Sequence, residues 1–412
     1  MRTLTNRAVA VALLALTFTP PIVCAHGERA QQASTRVRTT NWYDVEIAPT
    51  KVSVGDEVIV RGRFRTSKYW PEHLPSVEGR VFLNVGTGGP TFTRVSSSID
   101  GVSMVQSTSL ELGRDYGFEL KLKARTPGRV HVHPLLNVLD TGPMVGPGRW
   151  VETTGSQSDF VNEAETMFGR KMDLETFNLN VVYGWHAIWF LIGGAWILYW
   201  VRQRPLLIAR MSAVEDAEAE GLDADTLITP RDRNVGIGFV VLTLVVVAAG
   251  YQWANARHPV TAPLRTAKVS VPKKAPPALT MGVTLDEAQY RIPGRSFQMS
   301  LTVENRGSEA MQIGEFATAN LRFINPAVRT LAPADSHDLI APDGLRIEGG
   351  PVAPGETRTL KVFAEDALWE TQRLTHMIND PDSTIAGLLF FYADNGEREI
   401  VEIGGTMMPV FN

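Results

Sequence analysis

Phe118-Glu119-Leu120-Lys121-Leu122-Lys123 alternates apolar and charged residues without a break. Successive side chains of a strand point to opposite faces, so the stretch predicts one face in a core and the other in water. Thr126-Pro127-Gly128 follows as a turn. Arg129-Val130-His131-Val132-His133 then opens the next strand. Upstream, Val52-Ser53-Val54, the Gly55-Asp56 turn and the run Val58-Ile59-Val60-Arg61-Gly62-Arg63-Phe64 repeat the same grammar. From about residue 36 to 172, short strands at this spacing predict a β-sandwich.

The strand pattern returns in the last third. Phe297-Gln298-Met299-Ser300-Leu301-Thr302-Val303 alternates and runs into the turn Asn305-Arg306-Gly307. Pro354-Gly355-Glu356 precedes Thr359-Leu360-Lys361-Val362, and Leu388 to Phe391 reads as a buried strand. A second sandwich is expected over 281–412. Between the two lies a different chemistry. Val181 to Val201 carries no Lys, Arg, Asp or Glu, and at ~1.5 Å per residue it is long enough for a bilayer core of about 30 Å. Tyr183, Trp185 and Trp189 stand at one end and Trp196, Tyr199 and Trp200 at the other, as in an interfacial aromatic belt. Val235 to Trp253 is a second uncharged run. Thr229-Pro230-Arg231-Asp232 opens it with a cap, a first-turn proline and an acid three residues on.

The expected fold class is therefore mainly β: two sandwiches joined by a transmembrane helical hairpin over 181–201 and 235–255. A Pro- and Lys-rich linker is expected over 256–280. Arg202, Arg204, Arg231 and Arg233 crowd the ends of the 202–234 loop and favour a cytoplasmic loop; Arg170, Lys171, Arg265 and Lys268 farther out even the balance, and a cleaved N-terminal signal decides it, with both sandwiches outside. Its middle, Glu215 to Asp225, is acidic and reads as a short solvated helix.

Residues 1–25 read as a secretory signal peptide. Arg2 and Arg7 precede an apolar run from Ala8 to Phe18, and small residues Val23 and Ala25 precede the cut. Cys24 is the only cysteine and would leave with the signal. The mature chain then has no disulfide, no thiolate nucleophile and no cysteine-ligated blue-copper centre. The net charge of -4 gives no reason to expect a nucleic-acid partner. No Gly-rich phosphate loop or serine-hydrolase elbow is present.

Cleavage after Ala25 would make His26 the first residue, with an α-amine and an imidazole both able to hold a metal ion. His131 and His133 share one face of their strand. One histidine on a buried face is ordinarily a hydrogen-bonded core residue; a pair together with an N-terminal histidine needs more explanation. An amine and three imidazoles without thiolate suit copper, with zinc next. Glu28 is placed to orient a ligand from behind, or else is a surface acid. His186 lies inside the first apolar run near its outer end, where a hydrogen bond at the headgroup boundary is expected. His73, His258, His337 and His376 read as surface or structural, and Asp380-Pro381-Asp382 as a turn.

On particular motifs the sequence resembles the B-type subunits of the copper-containing membrane monooxygenases, the family of particulate methane monooxygenase, ammonia monooxygenase and their short-alkane relatives. The motifs are His26-Gly27-Glu28, Asn41-Trp42-Tyr43-Asp44, Phe82-Leu83-Asn84-Val85-Gly86, Leu122-Lys123-Ala124-Arg125, His131-Val132-His133 and Gly146-Pro147-Gly148-Arg149-Trp150. In the second half they are Trp185-His186-Ala187, Trp189-Phe190, Tyr290-Arg291-Ile292-Pro293-Gly294-Arg295, Ala353-Pro354-Gly355-Glu356-Thr357-Arg358 and Asp380-Pro381-Asp382-Ser383. The resemblance implies two cupredoxin-like domains outside the membrane and a copper site made by His26, His131 and His133. It also implies assembly with the A-type and C-type subunits as a trimer of heterotrimers, and oxidation of a small apolar substrate or ammonia with O₂. Some members carry a histidine before Trp-Tyr-Asp; here that position is Asn41. Whether oxidation occurs at the copper of the B-type subunit or in its C-type partner stays open. So does a different class of function, a non-catalytic periplasmic copper-binding or scaffold protein.

Overall fold

The computed structural model describes residues 31–165, 169–203, 214–221, 229–257, 268–276, 278–292, 296–330, 339–380 and 382–411. The chain folds as two compact units. One combines the segments up to Phe160 and from Thr266 onward; the other is Val161–Arg265.

The first sandwich is built from β1 (Thr40–Ala48), β2 (Lys51–Ser53), β3 (Glu57–Thr66), β4 (Val81–Gly86), β5 (Phe92–Ile99), β6 (Val102–Ser103), β7 (Asp115–Ala124), β8 (Gly128–Val138), β9 (Gly142–Val145) and β10 (Arg149–Thr154). One sheet runs β1-β3-β7-β5-β6. The other runs β2-β10-β8-β4, with β9 pairing β8. The alternation in β7 is realised: Phe118, Leu120 and Leu122 enter the core while Lys121 and Lys123 point away. On β8 the core side is taken by Val132, Leu136 and Val138, so the odd-numbered His131 and His133 lie on the opposite face.

The second unit holds a hairpin of β11 (Glu163–Glu165) and β12 (Lys171–Asp173) and the helices Leu179–Gln203 and Pro230–Arg257. Both helices are long and apolar enough to cross a membrane. They pack on each other along small and aromatic residues: Trp196 meets Phe239 with ring centroids 4.9 Å apart, and Tyr199 donates to Asp232 at 2.8 Å. Thr229 Oγ1 accepts from the Asp232 amide at 3.2 Å, and the Thr229 amide donates to the Asp232 carboxylate at 3.1 Å. This is the reciprocal cap expected from the sequence. His186 Nδ1 bonds its own helix at Val182 O, 2.8 Å away.

The second sandwich contains β13 (Met281–Arg291), β14 (Ser296–Asn305), β15 (Met311–Thr318), β16 (Leu321–Ile324), β17 (Ile340–Ala341), β18 (Leu345–Glu348), β19 (Thr357–Glu365), β20 (Thr384–Ala393), β21 (Arg398–Thr406) and β22 (Met408–Val410). Its sheets run β18-β19-β14-β13-β22 and β17-β16-β15-β20-β21. Phe297, Phe316, Phe323 and Trp369 are fully buried and stack in the core, Phe323 on Trp369 at 4.8 Å.

The two sandwiches share an interface centred on β20. Ile385, Leu389 and Phe391 face the second sandwich's own core, while Leu388, Phe390 and Tyr392 cluster with Tyr43 of β1. A strand covered on both faces reads as one apolar run, which is why Leu388 to Phe391 shows no alternation. Arg398 holds Asp44 through two bonds of 2.9 and 2.6 Å, and Arg38 holds Asp382 at 2.7 Å. Arg38 Nε also donates to Tyr69 O at 3.2 Å, so Arg38 ties the turn at Asp380 and Asp382 to the first sandwich. The helix Ala33–Arg38 lies before β1, yet its Ala33 and Val37 are buried in the second sandwich's core. Part of the expected linker is not loose: Val269 and Val271 pack on the first core, and Thr108 Oγ1 donates to Val269 O at 2.7 Å.

Candidate metal centre

His131 and His133 converge. His131 Nδ1 lies 2.6 Å from His133 Nε2, and the rings meet edge to face with centroids 4.3 Å apart. His133 is 5% exposed although it faces away from the core. What covers it is backbone. A Cβ on Gly148 would lie 2.3 Å from His133 Cε1 and 2.4 Å from Nδ1, so only glycine lets the chain cross this ring so closely. A Cβ on Gly146 would meet Pro134 Cγ at 2.7 Å. The Gly146 amide donates to Pro134 O at 2.8 Å, and His133 Nδ1 lies 3.0 Å from Gly146 O.

That last contact sets the tautomer. A carbonyl only accepts, so Nδ1 carries the proton and Nε2 presents its lone pair to His131. His131 is seated by its cross-strand partner Trp150 on β10, with ring centroids 5.0 Å apart. Arg129 lies over the Trp150 ring, its Cζ 4.8 Å from the centroid.

Of the histidines expected at the site, the structure brings together His131 and His133. His26 and Glu28 lie outside the described residues, as do His258 and His337. His73 and His376 are exposed. Asn41 is buried on β1 opposite Arg65. Among the described residues no three His, Cys, Asp or Glu side chains gather at metal-binding distance. Sequence reasoning did not identify the parts played by Gly146, Gly148 and Trp150, although a Gly-Pro-Gly run is a signal for close backbone approach.

Residues 27–411 match the family of monooxygenase B-subunit proteins. The chain belongs to this family. It is also 42% identical over 402 residues to the particulate methane monooxygenase alpha subunit of Methylococcus capsulatus (strain Bath), covering 97% of this chain and 95% of that protein. The cupredoxin domain of amoB from Nitrosocaldus yellowstonii shares 18% identity over 30% of this chain and 91% of its own, with a TM-score of 0.24.

Of the donors expected from the sequence of this monooxygenase-family chain, the two described imidazoles, His131 and His133, are of a type that copper accepts. Two imidazole nitrogens at 2.6 Å need a proton or a cation between their lone pairs. His133 already has its proton on the far nitrogen, bonded to a backbone carbonyl, the arrangement that metal-ligating histidines adopt. Imidazole nitrogen suits copper and zinc alike.

Proposed function

We propose that this chain is the copper-binding subunit of a membrane monooxygenase complex that inserts one oxygen of O₂ into a small C–H or N–H bond. The substrate class is methane, ammonia or a short alkane. The observation that carries the reading is the convergence of His131 Nδ1 and His133 Nε2, with the other His133 nitrogen committed to Gly146. In this reading His26 supplies a third imidazole and the α-amine, and Glu28 stands behind them. Gln31 supports it: its side chain bonds Pro143 O, and its Oε1 accepts from the Val145 amide at 3.4 Å. The segment leading to His26 therefore sets out from beside the loop that holds His133. Extended chain covers about 3.3–3.6 Å per residue, so the few residues between give His26 ample reach.

Copper, when bound, supplies the one-electron chemistry that O₂ reduction needs. The chain's own task is to hold the ion. Gly146 keeps the His133 lone pair turned to the site, Gly148 makes room for the ring, and Trp150 seats His131. The partners in this proposal are the A-type and C-type subunits, in a trimer of heterotrimers. Residues 1–25 are removed as a signal, both sandwiches lie on the periplasmic side and 202–234 in the cytoplasm.

His131→Ala in the whole complex tests the function. Loss of copper together with loss of turnover, assayed with methane, ammonia and short alkanes, is expected. Copper loss with turnover retained would instead make the chain a copper-holding scaffold. Protease added to intact spheroplasts tests the sidedness: the acidic loop near Glu215 should be spared, and cleavage there would reverse the topology.

A further inference from the structure

The loop that orients His133 is held from the other sandwich. β15 and β16 are joined by the two residues Ala319 and Asn320, both with positive φ, +50° and +70°. This is the backbone of a tight hairpin turn, and asparagine is among the residues that adopt it readily. The turn is fixed in place: Arg36, from the helix ahead of β1, donates to Ala319 O at 3.1 Å. Asn320 is 8% exposed, and its Nδ2 donates to Val145 O at 2.8 Å.

Val145 and Gly146 are thereby bonded at every backbone polar group. The Val145 amide donates to Gln31, and its carbonyl accepts from Asn320. The Gly146 amide donates to Pro134, and its carbonyl faces His133 Nδ1. One peptide unit separates the Asn320 bond from the bond that sets the His133 tautomer. A buried carbonyl that loses its donor costs free energy until the backbone shifts to find another, and here the backbone cannot shift without moving Gly146 O.

We infer that Asn320 is a positioning residue of the metal centre, through which the second sandwich fixes the Val145-Gly146 backbone and, by it, the orientation of His133. This rests on the copper reading above. Asn320 touches no metal donor, and its effect passes through the Val145-Gly146 backbone.

The test uses the full chain in its membrane complex, with Cu(II) as the probe. Copper affinity is read by chelator competition, the coordination by electron paramagnetic resonance, and folding by thermal melting. Asn320→Asp keeps the shape and the backbone preference but removes the donor. Asn320→Gly removes the side chain where glycine is unstrained, and serves if the aspartate folds poorly. Removing partners behind a ligating histidine typically weakens metal binding about 10–100-fold; Asn320 is one step farther out, so both variants should lose roughly three- to tenfold with an altered nitrogen signature. Asn325→Asp is the control: it removes a like bond, Nδ2 to Ile313 O at 2.9 Å, elsewhere in the same sandwich. It should lower the melting temperature and leave the copper spectrum as in the parent. Unchanged copper binding in both Asn320 variants overturns the inference, and so does an equal loss in Asn325→Asp. If His131→Ala also binds copper like the parent, the copper reading itself fails.

Discussion

His133 Nδ1 lies 3.0 Å from the carbonyl oxygen of Gly146. Because that oxygen accepts only, one short contact decides which nitrogen of His133 carries the proton and which presents a lone pair. The same loop sets how closely backbone may pass over the ring. Gly148→Ala would place a methyl 2.3 Å from His133 Cε1, so the ring or the loop has to move. We expect copper affinity to fall at least about tenfold, with an overpacking cost of about 1–3 kcal/mol in folding. Copper per chain and thermal melting measure both. A variant that keeps full copper affinity would mean the loop yields freely and does not orient His133.

Glu402 gives the interface between the sandwiches a pH dependence. Burial raises its carboxyl above the ordinary 4.5; the Ser67 hydroxyl, the Arg65 and Lys68 charges and the Lys68 amide offset this only in part. The folded chain then holds a proton that the unfolded chain has already released. The stability Glu402 contributes is present below its unfolded value of about 4.5 and is lost as pH rises through the folded value. Glu402→Gln keeps an acceptor for Ser67 and cannot ionise. It should narrow the difference in melting temperature between about pH 4.5 and pH 7.5, and its benefit should be larger at the higher pH. A parallel shift at both values would show that Glu402 does not titrate in this window.

In the helical unit, Gly250 makes way for Trp185. A Cβ at Gly250 would stand 2.5 Å from Trp185 Cη2. Gly250→Val should separate the helices there, at about 1–3 kcal/mol, and lower the yield of folded chain extracted from membranes. Adding Trp185→Ala should restore part of that yield, because neighbouring residues couple. Strictly additive losses would place the two residues out of contact.

The local parts of this architecture were legible in the sequence. Phe118–Lys123 and Phe297–Val303 showed their buried faces by alternation, and each strand packs as read. Thr229 and Asp232 announced a reciprocal cap, and it is formed. The pairing of His131 with His133 followed from their spacing, since residues two apart share a face. What covers that face did not follow. It depends on β9 and the Gly146–Gly148 segment folding back over β8, a contact set by tertiary packing. Nor does a local pattern show that Val37, ahead of the first sandwich, is buried in the second. The Pro- and Lys-rich composition of 256–280 concealed Val269 and Val271, which are spaced to enter the first core as a strand's inward residues would.

In the proposed copper site, an amino-terminal His26 joins His131 and His133. The most direct measurement compares two full-length chains in their membrane complex, one starting at His26 and one retaining extra residues before it. Copper affinity and the electron paramagnetic resonance spectrum are recorded for both. The proposed site predicts weaker binding and an altered nitrogen signature in the extended chain, because its α-amine is no longer available at His26. Equal affinity with an identical spectrum would contradict it.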